Sequence, residues 1–590
     1  MSIKVGEVIA VRGVIVTLKI FEVSSKDTLY HDGDKYKGIS IREYISIQRG
    51  FRDIICIIEG EYIDENKVEK EENKTYYIRK IEAKPIGYFE QEKFYEGIKF
   101  LPMIKDVAFL LKENKISEIY SREQSNGFVI GKMLKEEIPI SLPWQKLFNT
   151  HIGIFGNTGS GKSNTLAKLY TVLFEQKLEA INNKSKFVIL DFNGEYTANQ
   201  LVGLESKNTL QLNTNNEGQD KFPLHENEFW SSETLSILFQ ATANTQRPFL
   251  NRVINGRKKF IENSESLLTY IKKTFKVVFT AAAPKADTLD LLRSIIHILN
   301  ISELSNKLKD ITWMGHPNNT FKINGTYFNA DGIGYESVFG TTVNNMVIGE
   351  LNPFDELIIR TNLQLINDLI YGYVQFEHIQ PLLKRIEASL SSLKKVVSIE
   401  NEQNQSKLLT VVSLRKCNQE IKKVLPLLIA KHFYHQHKDT VENPPNKTMH
   451  LIIDEAHNIL SQQSTREQES WKDYRLELFE EIIKEGRKFG MFITLSSQRP
   501  ADISPTIISQ LHNFFIHRLV NDRDLFLLDN TISTLDKLSR SLIPNLSKGS
   551  CIVTGTSFDL PMILQIDRLE REKQPDSEDV NLEVLWRLES

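Results

Sequence analysis

The chain has 590 residues, a formal net charge of -3 and 41% apolar residues; that length predicts more than one domain, and the near-neutral charge excludes a basic coat for nucleic acid, so DNA contacts would come from local patches. Its only cysteines, Cys56, Cys417 and Cys551, lie far apart, which excludes a disulfide framework and a cysteine-based zinc site. MSIKVGEV carries no secretory leader and no apolar run nears the ~18 residues needed to cross a bilayer, so the expected compartment is the cytoplasm.

The first hundred residues alternate apolar and polar in IKVGEVIAVRGVIVTLKIF, DIICIIEGEYI and KTYYIRKIEAKPIGYF. Period-two patterning broken by Gly, Asp and Asn predicts short antiparallel strands in a small barrel. FVIGKML and IPISLPW supply two more strands, so the barrel is expected over 1–145. From residue 146 apolar strands alternate with helical patterns, which predicts a parallel sheet covered by helices and an α/β class. The strands expected are HIGIF (151–155), KFVILD (186–191), KLLTVVSL (407–414), MHLIID (449–454), MFITLSS (491–497) and FFIHRLV (514–520). The core therefore occupies 146–200 and 406–568, with a mainly helical insertion at 201–405 and a C-terminal extension at 569–590. A strand-like, Gly/Asn-containing patch at 305–345 interrupts the insertion.

GNTGSGKS, residues 156–163, follows the first core strand and opens a helix. This is the P-loop pattern: Gly156, Gly159 and Gly161 allow a tight turn, and the backbone from Gly156 through Asn157, Thr158 and Ser160 to Asn164 converges on phosphates with the helix N-terminus. Lys162 is expected on the β and γ phosphates of ATP, and Ser163 on Mg²⁺. The second nucleotide signature is MHLIIDEAHNIL, where Asp454 is placed to hold a Mg²⁺-bound water and Glu455 to polarise the attacking water. Glu195 in DFNGEY competes for the catalytic role. Gln498 follows a buried strand where an amide can sense the γ-phosphate, and Arg487 is the leading arginine-finger candidate, ahead of Arg499 and Arg518. His432 and His435 lie three apart on an expected helix but lack a third ligand, so metal binding there is not expected.

Taken in order, GNTGSGKSN, DFNGEY, WSSETLSILFQATANTQRPFL, IIDEAHN, EGRKFG, SSQRP, the Ser509-Gln510, His517-Arg518-Leu519, Asn521 and Asp524 positions, and PNLSKGSCIVTG resemble the HerA branch of the FtsK–HerA ATPase superfamily over most of the chain. The resemblance implies a RecA-like P-loop core behind a barrel of the ATP-synthase type. It also implies a homohexamer that hydrolyses ATP between subunits and moves double-stranded DNA, with roles for Lys162, Ser163, Asp454, Glu455, Gln498 and Arg487. A nuclease or sirtuin-type NADase partner is expected, in DNA repair or anti-phage defence. A nucleotide-gated scaffold that activates the partner with little translocation would use the same ATP site. Ser550 departs from the family pattern, which has Glu there. Arg257, Lys258, Lys259, Lys384 and Arg385 are candidates for a basic channel lining.

Overall fold

The computed structural model describes residues 3–21, 28–31, 33–67, 75–120, 127–216, 220–260, 265–400, 407–462, 469–577 and 582–586. In Lys4–Arg12 and Ile15–Ile20, Val5, Val8, Val16 and Leu18 are buried between more exposed neighbours, the alternation that one wet face imposes on a strand. Six antiparallel strands pair in the order Ile15–Ile20, Lys4–Arg12, Val107–Leu110, Tyr44–Arg49, Arg52–Lys67 and Thr75–Glu90, and the last pairs back on the first to close a barrel. Ile45, Ile47, Ile54 and Ile58 fill it.

The two strands expected to finish the barrel do not join it. Val129–Met133 and Pro139–Ser141 pair with each other, and the former pairs with Met562–Ile566 at the edge of a second sheet. A barrel closed on six strands has no edge to receive them, whereas Phe128, Ile130, Ile140 and Leu142 pack with Leu166, Leu169 and Tyr170 of the P-loop helix.

That second sheet has eleven strands. Seven are parallel, in the order Asn513–Ile516, Ile152–Phe155, Met491–Ser497, Thr448–Ile453, Ser185–Asp191, Leu409–Lys416 and Lys207–Asn213. Ser550–Gly555, Met562–Ile566, Val129–Met133 and Pro139–Ser141 continue it antiparallel. Burial on both faces explains the unbroken apolar runs. Phe187 and Ile189 meet the P-loop helix Lys162–Ile181, while Val188 and Leu190 meet the inserted helices and the helix Gln419–Thr440. Two differences from the expected strands follow from local chemistry. FFIHRLV is strand only over Asn513–Ile516, because its neighbour Ile152–Phe155 gives way there to the P-loop turn; the His517 N–H still donates to the Phe155 carbonyl at 2.7 Å. Lys207–Asn213 belongs to the sheet although KNTLQLN lies inside the expected insertion; it is an edge strand with several half-buried polar residues and no apolar run.

The insertion is a bundle that includes Gln246–Lys259, Ser266–Thr280, Asp287–Leu299, Pro353–Ile370 and Phe376–Val396. Phe222–His225 and Val397–Glu400 pair in parallel and draw its two ends together. The patch at 305–345 contains a three-stranded antiparallel sheet, Thr312–Met314, Thr320–Ile323 and Thr326–Tyr327. Among the described residues, no helix is long and apolar enough to cross a membrane.

Candidate active site

Level register brings the chemistry to one edge. Phe155 lies opposite Ser497 and Ile516, Leu190 opposite Ile453, and Ile453 opposite Leu495. The P-loop, Asp191, Asp454 and Gln498 therefore emerge together at the carboxyl ends of parallel strands, where open α/β sheets bind ligands.

The loop itself admits only glycine at its tightest points. Gly161 has φ +111°, and a Cβ there would meet Gly549 Cα at 2.8 Å. A Cβ on Gly156 would lie 2.5 Å from the Cβ of His517. His517 is fully buried under the loop: its Nδ1 donates to the Ser550 carbonyl at 2.9 Å, and its Nε2 accepts from Thr165 Oγ1 at 2.9 Å. Burial pushes its pKa down to about 4, with the Lys162 charge adding to the fall, so the ring is a neutral strut. The motif HRL was visible in the sequence, but its partners lie 352 and 33 residues away and no local signal names them. Ser550, the departure from the family pattern, is itself buried and donates to the Ser547 carbonyl at 2.7 Å.

Lys162 opens the P-loop helix and is buried, with Nζ 3.1 Å from Glu455 Oε1 and 3.8 Å from Asp454 Oδ1. Burial alone would lower its pKa; the two carboxylates outweigh it and hold the ammonium above its ordinary value. Glu455 has a left-handed backbone, φ +49°, a conformation uncommon outside glycine that marks positions held by their surroundings. Asp191 is spent on structure: its carboxylate accepts from the backbone N–H groups of Gly194, Glu195 and Tyr196 at 2.7, 3.1 and 3.0 Å. This folds the DFNGEY turn back toward the site. Glu195 is raised to about 7 by burial and then by the Asp454 charge, while Ser163, Lys162 and Asn193 pull it down. Both glutamates thus border Asp454, and the alternative between them stands.

Several buried oxygens converge here without a hydrogen-bond partner among the described residues: Ser160 Oγ, both Asp454 oxygens, Glu455 Oε2 and Glu195 Oε2. Unsatisfied buried oxygens beside one lysine fit a site that takes a phosphate with its divalent cation. On the outer side, Thr158 donates to Gln498 Oε1. Asn157, Thr158, Gln498, Arg499, Asn521 and Asp524 line a 420 Å³ cavity. The side chain of Asn164 turns away, donating to the Asp567 carbonyl at 3.2 Å.

Arg487 is not in this group. It stands exposed just before Met491–Ser497, at the opposite end of that strand from Gln498, with Nη1 3.1 Å from His512 Nε2. Arg499 and Arg518 lie at the P-loop edge, the latter bonded to the Pro544 carbonyl at 3.0 Å. Among the channel candidates, Arg257 pairs with Glu226 and Glu356, Arg385 donates to the Phe239 carbonyl and Gln246, and the exposed Lys384 pairs with Glu387 at 3.1 Å. His432 pairs with Glu228 at 2.6 Å.

Residues 128–327 match the family model described as Helicase HerA, central domain. The DNA double-strand break repair helicase HerA of Sulfolobus acidocaldarius is 22% identical over 574 residues, covering 95% of this chain and 91% of that protein. Probable helicase MJECL08 of Methanocaldococcus jannaschii is 25% identical over 470 residues, 78% of this chain and 74% of that protein. Among solved structures, VirB4 of Thermoanaerobacter pseudethanolicus aligns with 76% of this chain and 98% of its own at 12% identity, with a TM-score of 0.43. The central-domain match over residues 128–327 and the long alignments to HerA helicases make the chain similar to HerA-type ATPases, and its P-loop with paired carboxylates is in keeping with that likeness.

Proposed function

We propose that the chain hydrolyses ATP and uses the energy to move double-stranded DNA, as a ring of six subunits. The observation that carries the hydrolytic half is Lys162 clamped between Asp454 and Glu455 beneath the P-loop turn. Without nucleotide the lysine neutralises the carboxylates. With nucleotide its ammonium turns to the β and γ phosphates, which frees Glu455 to polarise the attacking water. Ser163 and Asp454 fit Mg²⁺, which would neutralise charge on the phosphates. Gln498, already hydrogen-bonded to Thr158 of the P-loop, is suited to sense the γ-phosphate. Arg487 would neutralise transition-state charge in the next subunit.

The DNA half is supported by the helicase names of the relatives. The name of the Sulfolobus relative favours a DNA-repair setting over anti-phage defence.

ATPase rates with and without linear duplex, at two salt concentrations, test both halves. Lys162→Ala should abolish turnover. Glu455→Gln should still bind ATP and turn over roughly 10²- to 10⁴-fold more slowly, the usual contribution of a positioned base. Duplex should raise the wild-type rate, and the effect should weaken steeply with salt because releasing condensed counterions into a more concentrated solution gains less entropy. A rate that DNA leaves unchanged, together with no displacement of a triplex strand, defeats the motor and favours a nucleotide-gated scaffold.

A further inference from the structure

Beside the proposed catalytic carboxylate stands a titratable side chain that the proposed reaction does not use. His457 begins the short helix His457–Leu460, two residues after Glu455, and its side chain is 14% exposed. Its Nδ1 lies 3.3 Å from Glu455 Oε2 and 3.3 Å from Ser497 Oγ. The other oxygen of the same carboxylate, Oε1, accepts from Lys162 at 3.1 Å. Glu455 is therefore flanked on both oxygens, by a lysine that nucleotide would draw away and by a histidine that it would not.

The same ring nitrogen of His457 also reaches the next strand. Ser497 is the last residue of Met491–Ser497, fully buried, and its Oγ also accepts from the Arg499 N–H at 3.0 Å. The two strands are tied again where the Ala456 N–H donates to the Ser496 carbonyl at 2.8 Å. Between Ser497 and Arg499 stands Gln498. One imidazole thus touches both the carboxylate beside the reacting water and the root of the γ-phosphate-sensing loop.

We propose that His457 is a positioning residue: its Nδ1–H holds the Glu455 carboxylate in place once Lys162 has moved to the phosphates, and its contact with Ser497 makes that hold depend on the Gln498 loop. A single N–H faces two oxygens, Glu455 Oε2 and Ser497 Oγ, and can align with only one at a time. With the proton on Ser497, Glu455 loses its remaining donor and is free to swing. With the proton on Glu455, the carboxylate is fixed and the strand end is released. At 3.3 Å the nitrogen stands close to Glu455 Oε2 without yet bonding it, and Oε2 is unpartnered among the described residues; apo catalytic contacts commonly tighten only around substrate.

The proposal rests on Glu455 being the carboxylate that polarises water, and the test keeps the two apart. In an Asn side chain, Nδ2 occupies roughly the place of histidine Nδ1; in Gln, Nε2 follows the other ring nitrogen. His457→Ala should lower kcat roughly 10- to 100-fold, the scale of a misplaced catalytic group. KM and the affinity for a non-hydrolysable ATP analogue should stay within about twofold, because nucleotide contacts are untouched. His457→Asn should recover most of the loss and His457→Gln should not. Wild-type turnover in His457→Ala, or equal rescue by Gln and Asn, overturns the proposal. The double variant E455Q/H457A should turn over as slowly as E455Q and no slower, since groups acting as one unit are not additive; a further fall by the full H457A factor also overturns it. Undiminished turnover in E455Q alone is a distinct result: it removes the reading of Glu455 and this proposal with it.

Discussion

Histidine protonation links single side chains to the acid limit of this fold. His450 is buried, its ring stacked on Phe187 at 4.6 Å between centroids and flanked by Phe148 and Phe492. Burial pushes its pKa down to about 3, and His151, held between the Ile483 carbonyl and the Ile493 N–H, falls to about 4 for the same first reason. Below about pH 6.5 the unfolded chain binds protons that these folded rings refuse, so their contribution to stability is lost as pH falls from 6.5 toward 3, by up to ~1.4 kcal/mol per unit for each ring. Asp191, raised to about 6 chiefly by burial, works in the opposite direction: the folded chain holds its proton more tightly, so it favours folding as pH falls through that value. The histidine effect is isolated by comparing variants. His450→Phe keeps the aromatic stack and removes the titration, so its Tm relative to wild type should rise between pH 7.5 and pH 5. Parallel pH profiles would show that the ring is protonated as readily in the fold as outside it.

At the scale of elements, the same side chain type can serve a channel or a core, and only packing decides. Arg257 ends the helix Gln246–Lys259 in a basic run that reads as a channel lining, yet it is buried, paired with Glu226 and Glu356, and stacked over Trp230 at 4.4 Å. Removing one partner of a buried ion pair leaves uncompensated charge, so Arg257→Ala should cost about 3 kcal/mol in chemical denaturation while leaving DNA affinity intact at a permissive temperature. Weakened DNA binding at unchanged stability would return it to the channel. The example marks what could be read in advance. The P-loop, Asp454 with Glu455 and the central strands were legible because each is a contiguous run whose spacing carries its geometry. Lys207–Asn213 was not, since an edge strand carries no apolar signature, and the strands at 129–141 were legible as strands but not by destination. The Glu455–His457–Ser497 contact needs two strands in register, and a linear sequence shows only that DEAH and SSQ are each present.

For the whole molecule, the position of Arg487 limits what it can touch. It precedes Met491–Ser497, whereas Gln498 and the P-loop lie past the other end, so seven residues at about 3.3 Å each separate the guanidinium from its own phosphate site by roughly 20 Å. The backbone there is anchored: His437 Nε2 lies 2.7 Å from the Phe489 carbonyl, and the Met449 N–H donates to the Gly490 carbonyl. An arginine so held cannot fold back along a buried strand, and any triphosphate it neutralises belongs to another copy of the chain. Mixing therefore tests the assembly more sharply than either single variant. Lys162→Ala subunits lack a working P-loop but carry Arg487; Arg487→Ala subunits carry the P-loop but lack the finger. Each alone should be inactive. Co-assembled one to one in a head-to-tail ring, about one interface in four pairs an intact P-loop with an intact Arg487, so ATPase activity should return toward a quarter of wild type if interfaces fire independently. Mass photometry of the mixture checks that the subunits have assembled. Rings that form and stay silent would assign Arg487 a role within its own subunit's packing against His512, and the trans contact would pass to another residue or to none.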